Sequence, residues 1–148
     1  MYNFPVLSMK KIHRKNRRLA FSLAALQMFI GLGAVVGGVG LISAPDGANL
    51  RMPVECLSDS PFSDFLIPGI VLLVVNGFGS ITGGVLSFRH HLYASQIAVG
   101  LGAFLMMWIV AQIWWIGLVH WLQPLYFALG VLELVLGSLL WRSLRIVK

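Results

Sequence analysis

The stretch LAFSLAALQMFIGLGAVVGGVGLIS, Leu19 to Ser43, decides the fold. It is apolar apart from Gln27 and small hydroxyls, and its 25 residues exceed the roughly 20 that a helix needs to cross a bilayer. Directly before it stands KKIHRKNRR, Lys10 to Arg18, a basic flank with no acid. A cleaved signal peptide also begins with a basic segment, but its apolar region is only about 7 to 15 residues, so this stretch reads as a retained span that crosses with some tilt.

Working outward, three more apolar blocks of spanning length follow: Phe65 to Phe88, Tyr93 to Gly117 and Trp121 to Trp141. The whole chain has 148 residues, 58% of them hydrophobic and 11% charged, with a mean hydropathy of +0.86. A soluble domain carries about 25% charged residues. The expectation is therefore a single all-α membrane domain of four transmembrane helices, since backbone in lipid must satisfy its own hydrogen bonds. The remaining segments are a basic tail (1–18), a loop (44–64), a turn (89–92), a second turn (118–120) and a tail (142–148).

Charge placement predicts the orientation. The net charge is +6, with eleven Lys and Arg against five acids. Lys10, Lys11, Arg14, Lys15, Arg17, Arg18, Arg89, Arg142, Arg145 and Lys148 fall on one side of the four spans. Arg51 falls on the other with Asp46, Glu55, Asp59 and Asp64. Basic residues collect on the cytoplasmic side, so both termini are expected there, with anionic lipid headgroups as the partner of the basic face. Trp114, Trp115 and Trp121 mark the outer boundary, and Tyr93 and Trp141 the inner one. Nucleic acid is not the expected partner, because the basic residues flank membrane spans and no binding fold or aromatic interleaving accompanies them.

Glycine supplies the packing signal. Gly33 and Gly37 form a GxxxG pair in the first span and Gly79 and Gly83 another in the second, which lets backbones approach closely where lipid gives no hydrophobic drive. The first expectation is that these faces pack spans one and two together; the alternative is a groove for a partner or a second copy. Pro68 and Pro124 stand in first turns, where a missing amide costs little.

Three polar side chains fall at depth. Glu133 lies about 18 Å from the outer end of its span and Asn76 about 16 Å from the outer end of its own, while Gln27 lies about eight residues above the cytoplasmic start of the first. The expectation is a shared layer, with Glu133 facing the bundle and either hydrogen-bonded to Asn76 and Gln27 or held protonated, since a lone carboxylate in hydrocarbon costs several kcal/mol. As a functional site this is a proton or substrate position; as a structural one it is a clasp fixing the helices.

No set of residues carries enzyme chemistry: there are no paired carboxylates, no Ser-His-Asp arrangement and no phosphate loop, and GLGAVVGG lies inside an apolar span rather than between a strand and a helix. No catalytic residue, metal or cofactor is expected. His90 and His91 stand beside Arg89 without Cys or carboxylate neighbours, His13 belongs to the basic tail, and Gln112 and His120 read as boundary anchors. Met106 and Met107 read as packing, and Cys56 is alone, which excludes an internal disulfide.

The loop SAPDGANLRMPVECLSDSPFSDFLIPG, Ser43 to Gly69, mixes turn formers with spaced hydrophobics and is expected to fold back over the bundle mouth, with Ser63 or Asp64 capping the second span. It reads as a lid, a docking loop or a plain connector. Through its PDG turn (Pro45–Gly47), its SPFSDFLIPG segment (Ser60–Gly69) and the four-span plan, the chain resembles small four-helix bacterial membrane proteins of the DoxX-like group. That resemblance implies a bacterial inner-membrane protein and brings no catalytic residues. The expected function is a non-catalytic accessory subunit or regulator that docks on a membrane partner or self-associates; the alternative is a small transporter or channel component built around Glu133.

Overall fold

The computed structural model describes the backbone of residues 4–145 and the side chains from Arg14 to Arg145; Lys148 and the side chains of Lys10, Lys11 and His13 lie outside the described residues. The described residues are helical, without strands, and four helices are long and apolar enough to cross a membrane. The first runs Phe4–Ser43, the second Leu66–Phe88, the third Ala94–Ile116 and the fourth Leu122–Arg145. The spans read from hydropathy agree with these at their loop ends. At the basic ends the second helix stops at Phe88 and the third begins at Ala94, within a residue of their blocks, whereas the first and fourth continue further. The first includes the basic segment that reads as a tail, because Lys and Arg favour helix and Pro5 falls in the first turn, where its ring removes no needed donor. The fourth runs past Trp141 to Arg145. There Arg145 lies over the Trp141 ring at 4.9 Å, and Ser143 hydrogen-bonds Asn16, tying the first and fourth helices together.

The helices pack in a ring in chain order: the first against the second and fourth, the third against the second and fourth. Close backbone approach is carried by small residues. Between the third and fourth helices, a Cβ on Gly102 would stand 2.8 Å from both the Gly130 carbonyl oxygen and the Leu134 nitrogen, and one on Gly137 would stand 3.1 Å from Ala98 Cβ. Between the first and second, a Cβ on Gly38 would stand 2.9 Å from the Leu73 backbone and one on Gly31 would stand 3.0 Å from the Gly77 oxygen.

One departure from regular helix lies inside the second span, where Leu72–Phe78 is π-helical. The expectation of uninterrupted α-helix is corrected here. Widening to i→i+5 bonds brings both Asn76 and Gly77 to the buried side while Val74 and Phe78 stay exposed.

The loop closes one end of the bundle. Gly47, at φ 77°, turns the chain so that the Met52 amide returns to the Gly47 oxygen at 3.0 Å; a side chain there would also run into the Met52 oxygen. The Phe65 amide donates to the Pro45 oxygen at 2.9 Å, which joins the loop's two ends. Leu57 and Phe65 are buried with Leu41, and Met52, Phe62, Leu72 and Ile116 pack around them. Phe62 meets Trp115 edge-on at 5.6 Å. Neither Ser63 nor Asp64 caps the second helix as expected: its cap position is Phe65, which makes no side-chain cap bond, and the Asp64 carboxylate instead accepts the Leu66 amide at 2.9 Å in a local turn just before it. Arg51, Glu55 and Asp59 remain exposed, and Asp46 closes a local turn on the Ala48 amide.

Candidate functional site

Apolar side chains fill most of the bundle interior, in one cluster around Leu23 and Leu140 and another around Ile30, Leu105 and Ile109. Polar groups are buried in the same interior at several depths. Gln27, Ser87 and Glu133 are 0% exposed, and Asn76, Ser80 and Ser95 are 1% exposed. Gln27 Nε2 donates to Glu133 Oε1 at 2.9 Å, and Ser87 Oγ donates to Gln27 Oε1 at 2.8 Å. One amide thus joins the first, second and fourth helices. Glu133 Oε2 has no partner although it is fully buried.

The expected layer is therefore assembled differently. The structure brings Gln27 and Glu133 together but leaves Asn76 out: its Nδ2 is buried without a partner, and Ser87 takes its place at the amide. The reason is axial position, because eleven residues of helix put Asn76 roughly 16 Å from Ser87 along the second span. Depth counted along separate helices takes no account of how far each slides against its neighbours. Trp108 Nε1 on the third helix is likewise buried and unpartnered.

The GxxxG glycines also have other partners than each other. Gly33 faces the hydroxyl of Tyr126 on the fourth helix, Gly37 faces Leu72, and Gly79 faces Leu101 of the third helix. Gly37 follows the expected pairing of spans one and two, as does Gly83, which faces Gln27. Gly83 has a polar role: a Cβ there would stand 2.7 Å from Gln27 Nε2 and 3.0 Å from Leu101 Cδ1, so its bareness makes room for the bridging amide.

Sequence reading missed Ser87, although Asn76, Ser80 and Ser87 recur at i, i+4 and i+11, the spacing of a polar stripe on one helix face. It also missed Ala94, Ala98 and Gly102, a four-residue repeat that marks the third helix's contact with the fourth. Gln123 was a third omission: its Oε1 accepts the Val119 and His120 amides at 2.9 and 3.2 Å and its Nε2 donates to the Gly117 oxygen, stapling the 118–120 turn. Among the described residues no three His, Cys, Asp or Glu side chains gather as a metal-holding group. His120 and His91 instead accept the Leu122 and Tyr93 amides through Nδ1.

The arrangement holds one acid, fixed through one oxygen and free at the other, in an interior without cations among the described residues. Such a group can accept a hydrogen bond, bind a proton or hold helices together. No family model, characterised protein or solved structure matches this chain.

Proposed function

We propose that this chain is a non-catalytic multi-pass protein of a bacterial inner membrane, with both termini cytoplasmic, that acts as an accessory subunit or regulator by docking sideways on a membrane partner or a second copy. The orientation rests on the basic residues at one end and the acids of the loop at the other; the bacterial location rests on the DoxX-like resemblance. Docking rests on Gly100. Every other glycine within the four helices has an atom of another segment within 4 Å of where its Cβ would be, whereas Gly100 has none. Glycine costs about 1 kcal/mol relative to alanine in a helix, and nothing in the monomer compensates. Ala103, Met107 and Val110 continue the same exposed face, so Gly100 and Ala103 form a flat strip on which another helix can pack closely.

Disulfide crosslinking in native membranes tests this. In a Cys56→Ser background, Ala103→Cys should give one discrete higher-mass species, either a dimer or a defined heteromeric adduct, that disappears with Gly100→Leu; Val135→Cys, exposed on the fourth helix, should give none. An uncrosslinked Ala103→Cys chain counts against docking.

The alternative, a small transporter or channel component, is favoured by Glu133 Oε2, a buried acceptor with no partner. Flux in proteoliposomes that vanishes in Glu133→Gln supports it.

A further inference from the structure

The interior around Glu133 is asymmetric. Towards the loop end the bundle is sealed first by Ile30, Leu105 and Ile109 and then by Leu41, Leu57 and Phe65 under the folded loop. Towards the basic end the buried polar groups continue as far as the last turn of the second helix. Gln27 bonds Ser87, Ser87 is the penultimate residue of the second helix, and Arg89 and His90 beyond it are exposed. Beside these groups the basic end is closed by Ala20, Leu23, Ala98 and Leu140.

From the structure we infer that Glu133 is a proton-exchange site, reached from the basic end along Ser87 and Gln27 and closed to the loop end. The groups facing it are uncharged on every packed element: Gln27 on the first helix, Ser87 beyond that amide on the second, and on the third the Gly102 and Ala98 region that packs on Gly130, Leu134 and Gly137. Past Ser87 the second helix ends, and the exposed Arg89 and His90 follow it. A carboxylate with no cation and one unpartnered oxygen is costly in such an interior, and a proton on Oε2 removes the charge while Oε1 keeps its bond from Gln27. The proton comes from water at the basic end, where Ser87 and Gln27 give transient water hydrogen-bonding footholds. This inference shares the free oxygen with the transporter reading but concerns binding alone, so flux plays no part in its test, and it is independent of docking.

Infrared spectroscopy of the full chain in lipid vesicles provides that test. The wild type should show a protonated-carboxyl C=O band that shrinks as pH is raised, returns as it is lowered, and shifts in deuterium oxide. The difference spectrum against Glu133→Gln separates it from the four loop acids; Glu133→Asp, which keeps an acid on a shorter arm, should shift the band and so identifies it even if the glutamine variant does not fold. Ser87→Ala leaves acid and amide in place and should slow deuterium exchange several-fold. A band absent at every pH, or one that neither titrates nor exchanges, overturns the site; exchange as fast in Ser87→Ala as in the wild type overturns the route.

Discussion

Gln27 and Glu133, 106 residues apart in the chain, meet at 2.9 Å inside the bundle, with the amide of one donating to the carboxyl of the other. Because Gln27 also accepts from Ser87, the contact is the centre of a three-helix connection rather than an isolated pair. Gln27→Leu should cost about 1–3 kcal/mol of stability, since it strips the remaining partner from a buried carboxyl. Denaturation of the purified chain in mixed micelles measures it. Removing both partners, as in Gln27→Leu with Glu133→Leu, should cost less than the sum of the single changes, because no orphaned group remains.

Two glycines two residues apart should respond oppositely to alanine. Gly102→Ala forces backbone apart between the third and fourth helices, where the new methyl would stand 2.8 Å from the Gly130 oxygen, and should destabilise by about 1–3 kcal/mol. Gly100→Ala meets open space and should leave monomer stability unchanged or slightly raised. Parallel denaturation curves separate the two.

Gly83→Ala tests the space held for the bridging amide. The methyl would press on Gln27 Nε2 and Leu101, so the Gln27–Glu133 bond should lengthen or break and stability should fall. Gly79→Ala, whose methyl would meet Leu101 Cδ2 at 3.1 Å and the Val74 oxygen only at an ordinary 3.8 Å, leaves the Gln27 amide untouched and should be milder. Comparing the carboxyl infrared signal of the two variants shows whether the amide has moved.

Cys56 is a native reporter of the loop. It is partly exposed and is the chain's single cysteine. Under the proposed orientation, with both termini cytoplasmic, an impermeant maleimide should label it in intact cells and fail to label it in sealed inside-out vesicles; the reverse pattern overturns that orientation. Gly47→Ala, which imposes a side chain at φ 77° against the Met52 oxygen and the Phe65 ring, should loosen the loop and speed the labelling. An unchanged rate would mean that the 44–64 segment keeps its fold without this turn.

The four spans were legible because a bilayer-length apolar run is a local property, readable one block at a time. Burial of Glu133 was legible for a related reason: a lone acid in such a run has to face protein. Ser87 and Gly102 were harder, because serine and glycine are common in spanning helices and their partners depend on neighbouring chains. The π-helical turn at Leu72–Phe78 had no local signal, since it depends on how the second helix seats Asn76 and Gly77 against the first.

Four helices, a basic end, an acidic loop end and one acid committed to the interior follow from the residues one at a time, because hydropathy and charge are local quantities. Which groups meet follows instead from the packing of the helices. The sliding of each helix along its neighbours gave Gln27 to Glu133 and Ser87 and left Asn76 alone, and close backbone contact assigned Gly102, Gly130 and Gly137 to the seam between the last two helices. Between helices this apolar, register is set by shape and hydrogen bonds, quantities no single segment contains.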